Sequence, residues 1–196
     1  MNRSGCVTGG FCLLILWFGV VNGWRLLLVV LSAAAVHELG HILTLKLLGA
    51  NVTSLRLSMF GAVLETDIGK LPYGKELLVV LAGPAANFLV ARLLSGIGGE
   101  WWDAAVGAHL VLCGFNLLPV EPLDGGRALY LVTAWLAGPD TGAWVSRWAG
   151  VLCGLMLTAG LGYIMWRTGG SLWLLPPAMG MFLAAYQKCF EKREFM

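Results

Sequence analysis

From Leu26 to Leu45 the chain carries no lysine or arginine and a single carboxylate, Glu38, flanked by His37 and His41 among Val, Leu and Ala. An apolar stretch of this length matches the ~30 Å of hydrocarbon that about 20 helical residues cross. In lipid every backbone N–H and C=O must be satisfied within the segment, so the stretch is expected to be α-helical. Ionisable side chains at that depth cost ~3 kcal/mol or more each, and they mark a function.

Composition extends the point to the rest of the chain. Of 196 residues 58% are hydrophobic and 12% charged, more apolar side chain than a soluble domain of this size can hide, so lipid is the solvent for most of it. The net charge of +2 is dispersed and there is no basic tract, which excludes nucleic acid as a partner. Cys6, Cys12, Cys113, Cys153 and Cys189 are far apart and odd in number, without a C-x-x-C pair, and read as small hydrophobes. Phe11 to Val21 has the length of a signal-peptide core, but it lacks a small-residue cleavage site and reads as a retained anchor.

The expected fold class is an all-α polytopic membrane protein with about six transmembrane helices. They run roughly from Gly5 to Val21, Arg25 to Leu48, Tyr73 to Gly98, Trp101 to Leu118, Trp144 to Trp166 and Ser171 to Gln187. Between the second and third, Leu55, Leu57 and Met59 alternate with Arg56 and Ser58 before Phe60-Gly61. This pattern reads as a short membrane-associated β-hairpin, with a surface loop as the alternative. Pro119 to Gly126 holds two prolines and two glycines and cannot be regular helix; Arg127 to Ala137 is too short to cross. Lys and Arg gather on the side of the charged tail near Lys192, so both termini are expected to be cytoplasmic, in a bacterial cytoplasmic membrane.

His37-Glu38-Leu39-Gly40-His41 is an H-E-x-x-H motif. Histidines at i and i+4 share a helix face and can grip one zinc ion, with the intervening Glu as base toward a metal-activated water. A random chain of this length shows the motif in roughly one case in a hundred or fewer. A catalytic zinc needs a third protein ligand, and the metzincin pattern is excluded because Thr44 and Leu47 stand where it requires Gly and His. The candidates are His109, Glu121 and Asp124. His109 lies near the outer end of the fourth span and reads as a buried, hydrogen-bonded histidine, whereas Asp124 lies between Pro122 and Gly125-Gly126, where glycine permits close approach to a metal. Alternatively, Asp124 caps a helix starting near Arg127.

Three motifs in order, His37 to His41, Gly83-Pro84-Ala85-Ala86-Asn87, and Asn116-Leu117-Leu118-Pro119 through Leu123-Asp124-Gly125, resemble those of the site-2 protease family of intramembrane zinc metalloproteases. The Asn116 to Arg127 form is most similar to the sporulation branch, the stage IV sporulation protein FB type. The resemblance implies one zinc ion held by His37, His41 and Asp124, with Glu38 as general base and acid. It also implies that Asn116 bonds the substrate backbone or the developing oxyanion and that Asn87 lines the substrate path; interhelical hydrogen bonding is the plainer use of both asparagines.

The expected partners are a transmembrane or membrane-associated protein substrate, an inhibitory membrane partner and the lipid bilayer. Residues 1–196 are expected to form a single domain with its catalytic core at about 25–137, without PDZ or CBS domains. The alternatives are a metal-ion transporter and a pseudoprotease that binds membrane segments without cutting them. The first is disfavoured because the ionisable residues converge on one depth. The second is disfavoured because neither Glu38 nor a ligand is lost.

Overall fold

The computed structural model describes residues 9–49, 52–58, 61–66 and 71–167, and these form six helices and two short strands. The chain divides into two compact units, Met1–Leu117 and Leu118–Met196.

The first unit contains α1 (Gly9–Asn22), α2 (Trp24–Leu47), β1 (Val52–Ser58), β2 (Gly61–Thr66), α3 (Tyr73–Leu94) and α4 (Glu100–Asn116). Gly23 separates α1 from α2 at φ 87, in the left-handed region that glycine enters without a Cβ penalty. α2, α3 and α4 pack against one another, and α1 lies on α2. Their shared interior includes Leu27, Ala33 and Leu45 of α2, Val79, Val80 and Ala91 of α3, and Cys113 of α4. Leu28, Leu39, Leu43, Phe88, Leu89 and Leu93 point outward on the same helices, the all-round hydrophobicity of helices whose surroundings are lipid. β1 and β2 pair antiparallel, with Leu55 opposite Leu64 and Leu57 opposite Ala62.

The contact of α2 with α3 is close because its residues are small. A Cβ added at Gly40 would lie 2.5 Å from the Ala82 carbonyl oxygen and 2.9 Å from the Ala86 Cβ. Without a hydrophobic force between helices in lipid, such small-residue contacts supply the dispersion energy that holds them together.

The second unit contains α5 (Asp124–Ala137) and α6 (Pro139–Arg167), packed on each other through Leu131, Ala134 and Gly142. α5 begins at Asp124, three residues before the helix start expected near Arg127, and the extended Leu123 is its N-cap. The reading of Asp124 as a cap is therefore corrected: it is the first helical residue. Gly126 lets the preceding irregular segment fold back, since a Cβ there would lie 2.6 Å from the carbonyl carbon of Val120 and 2.7 Å from the amide nitrogen of Glu121. α6 starts at Pro139 rather than Trp144, because proline at the first helical position presets φ and gives up an N–H that has no partner there anyway.

Among the described residues three helices are long and apolar enough to cross a membrane, at Trp24–Leu47, Tyr73–Leu94 and Pro139–Ile164. The chain is thus that of an integral membrane protein. α1 and α4, at 14 and 17 residues, fall short of that length, and the expected span from Ser171 to Gln187 lies outside the described residues. Cys113 and Cys153 are free thiols, as their apolar settings imply.

Candidate metal centre

His37 and His41 stand one turn apart on α2, are 5% and 7% exposed, and face α3 rather than lipid. Their rings meet edge to face, with centroids 4.8 Å apart and planes at 81°. The two Nε2 atoms approach to 3.2 Å. Two nitrogens that each lie 2.0–2.1 Å from a tetrahedral zinc stand roughly 3.3 Å apart, so the observed separation suits a shared metal.

α3 supplies the support. His41 Nδ1 donates to the Val79 carbonyl oxygen at 2.8 Å, which fixes its proton on Nδ1 and leaves the Nε2 lone pair to accept or to ligate. Gly83 leaves room for both rings: a Cβ there would overlap His41 Nε2, lie 2.6 Å from His41 Cε1 and 2.9 Å from His37 Cε1. The glycine of the Gly-Pro-x-x-Asn motif is therefore required by the imidazoles. Its neighbour Pro84 has no N–H for the Val80 carbonyl four residues back.

Asn87, one turn further along α3, is 0% exposed. Its Nδ2 lies 3.3 Å from His37 Nδ1 and its Oδ1 lies 3.0 Å from His109 Nδ1. Asn87 thus bridges two buried histidines, the interhelical hydrogen bonding that is its plainer use. His109, 4% exposed, sits beyond the midpoint of α4 and takes part in the same polar cluster. Its position just after Trp101-Trp102 suggests a shallower depth, but the close packing of α3 on α4 brings it to Asn87. A signal was available: Asn and His inside apolar helices must find partners.

Glu38, beside His37, is half-buried. Asn116 closes α4, and its Nδ2 donates to the Leu112 carbonyl at 3.0 Å, tying the amide to the last turn. In the second unit Asp124 is half-buried at the first position of α5, and Glu121 in the preceding segment is exposed.

Residues 25–101 match the model of peptidase family M50. The zinc metalloprotease MJ0392 of Methanocaldococcus jannaschii is 32% identical over 133 residues, covering 61% of this chain and 38% of that protein. The chain is a relative of the M50 peptidases. Stage IV sporulation protein FB of Bacillus subtilis is 30% identical over 131 residues, covering 62% of this chain and 45% of its own length. Identities of 32% and 30% single out no branch. The chain spans less than half the length of either relative. The site-2 protease from Methanocaldococcus jannaschii shares its fold, with a TM-score of 0.68 at 21% identity over 96% of this chain and 92% of that one.

Zinc is the metal in the name of the Methanocaldococcus jannaschii metalloprotease, and the donor set of this chain fits it. Two imidazole nitrogens converge in a pocket that a single Cβ at Gly83 would fill, and a backbone carbonyl holds the His41 ring in place.

Proposed function

We propose that this chain is an intramembrane zinc metalloprotease that hydrolyses peptide bonds within or next to transmembrane segments of other membrane proteins. The observation that carries this reading is the buried pair of Nε2 atoms 3.2 Å apart on α2, adjacent in sequence to Glu38.

In this reading His37, His41 and Asp124 hold one zinc ion. A catalytic zinc bound by two histidines and a carboxylate is a common ligand set. Asp124 suits the third place as a half-buried carboxylate beside Gly125 and Gly126, where the backbone can approach a metal closely. Zinc, when bound, supplies a Lewis acid that polarises a carbonyl and brings the pKa of water toward 7. Glu38 accepts the proton of the attacking water as the carbonyl carbon gains its new C–O bond. It then passes that proton to the leaving amine as the C–N bond breaks. Asn116 hydrogen-bonds the substrate backbone or the oxygen that gains charge.

A transmembrane substrate hides its carbonyls in i to i−4 bonds and must be unwound before attack. The β1–β2 pair, set at the membrane, offers a strand edge on which an extended segment can lie. The catalytic core extends over about 25–137. α1 and α4 are taken as further crossings beside the three long helices, with both termini cytoplasmic in a bacterial cytoplasmic membrane.

Metal analysis tests the ligand set. Purified wild-type protein is expected to retain one zinc per chain and His37→Ala to lose it. Asp124→Asn is expected to weaken zinc binding beyond the 10- to 100-fold typical of changing a hydrogen-bond partner of a ligand. Unchanged zinc affinity in Asp124→Asn contradicts its place as third ligand.

A further inference from the structure

Arg25 stands in the first turn of α2, and that turn contains no acid. A cation beside the positive end of a helix dipole is unfavourable, and the N-cap, Gly23, offers no side chain to the first amides. Arg25 nevertheless has a defined place: its Cζ lies 5.4 Å from the centre of the Trp101 ring, in the first turn of α4. Stacking takes up the face of the guanidinium and leaves its N–H groups, which radiate in the plane, available to an anion. The N-cap of α4 is also a glycine, Gly99, with no side-chain bond to the helix.

The first turns of α2 and α4 line one cavity of about 590 Å³, to which Trp24, Arg25, Glu100 and Trp101 contribute. That volume falls within the range of small-molecule sites, roughly 300–1,000 Å³. Its two charged groups are opposite in sign, and among the described residues Arg25 makes its contact with the Trp101 ring and not with Glu100. A ligand that satisfies both carries an anion and a cation within one small group.

The depth of the cavity indicates the source of such a group. α2 is long and apolar enough to cross a membrane, so its first turn stands at the boundary between lipid and water, where tryptophans such as Trp24, Trp101 and Trp102 gather. Trp24 and Leu28, 56% and 66% exposed and one turn apart, lead from the cavity along the exposed side of α2 toward the hydrocarbon.

We infer that this cavity binds the headgroup of a net-neutral phospholipid carrying a primary amine. Its phosphate lies on Arg25 and the two helix N-termini, its ammonium on Glu100, and its acyl chains beside Trp24 and Leu28. Both headgroup charges are used. A phospholipid with phosphate alone sets a second anion near Glu100 without a cation between them, and a trimethylammonium headgroup has no N–H to donate to the carboxylate. Arg25 precedes His37 by 12 residues on α2, about 18 Å along the helix axis, so the site stands or falls independently of the metal.

Native mass spectrometry of the purified protein released from detergent micelles counts bound lipids directly. Phosphatidylethanolamine, phosphatidylcholine and phosphatidylglycerol with the same acyl chains are titrated against delipidated protein. Phosphatidylethanolamine is expected to occupy one site about 10-fold more tightly than either of the others, the equivalent of one charge-assisted hydrogen bond. Arg25→Gln is expected to lower that affinity about 10-fold, and Glu100→Gln to remove the advantage over phosphatidylcholine. Both residues are exposed, so neither change removes a core contact. Arg92, an exposed cation in the last turn of α3, lies toward the same membrane face outside the cavity, and Arg92→Gln is expected to bind as wild type does. Equal affinity for the three lipids, wild-type affinity in Arg25→Gln or a retained preference in Glu100→Gln overturns the inference. So does an equal loss in Arg92→Gln, the behaviour of a general belt of headgroups. Glycerophosphoethanolamine, which has the headgroup without acyl chains, is expected not to compete at equal concentration; if it competes, the ligand is a soluble phosphate and the lipid assignment falls.

Discussion

The residue whose contribution is least visible in its own chemistry is Gly83. It has no side chain to ligate or titrate, yet it determines whether two imidazoles can converge, because the volume a methyl would occupy is already taken by His41 and His37. Gly83→Ala is expected to push His41 off its bond to Val79 and to weaken zinc binding about 10-fold or more, measurable by competition with a chelator; wild-type affinity would show that the rings have slack the structure does not display. His37, Glu38 and His41 were legible from spacing alone, since i, i+4 histidines on an apolar helix have few other uses. Asn87 and His109 were legible only as polar residues in need of partners. Which partner each takes depends on the contacts of α2, α3 and α4, and neither spacing nor composition carries that information.

At the level of helices, the close approach of α2 and α3 holds the zinc motif against its support. Gly40 lies against Ala82 and Ala86, with Gly83 and Asn87 next to them in sequence, so the residues that permit the approach and those that orient the ligands alternate along one stretch of α3. Gly40→Val is expected to destabilise this packing by ~1–3 kcal/mol, the usual cost of overfilling a close-packed contact, and to reduce zinc retention as a consequence. Unfolding in mixed micelles, with zinc content followed in parallel, checks both. Small residues on both sides of Pro84 are the sequence signature of a close helix contact. Helix ends were less legible: α5 starts at Asp124 and α6 at Pro139 because backbone satisfaction and the fixed φ of proline set those ends, while an apolar-run count locates only where hydrophobic residues begin.

At the scale of the whole chain, an apolar majority and, among the described residues, three helices of membrane-spanning length make lipid the medium around the protein. The buried histidines are consistent with that medium, since each is hydrogen-bonded within the protein. The substrate of the proposed reaction was not legible, because substrate choice depends on surfaces and partners rather than on the histidine motif. The most direct test of the central claim is cleavage of a single-span reporter co-reconstituted with purified protein in liposomes, comparing wild type with Glu38→Gln at equal zinc content. The expected result is a wild-type cut within or beside the span and a 10²- to 10⁴-fold slower reaction in Glu38→Gln, the loss typical of removing a general base. Cleavage at the wild-type rate by zinc-loaded Glu38→Gln would contradict it.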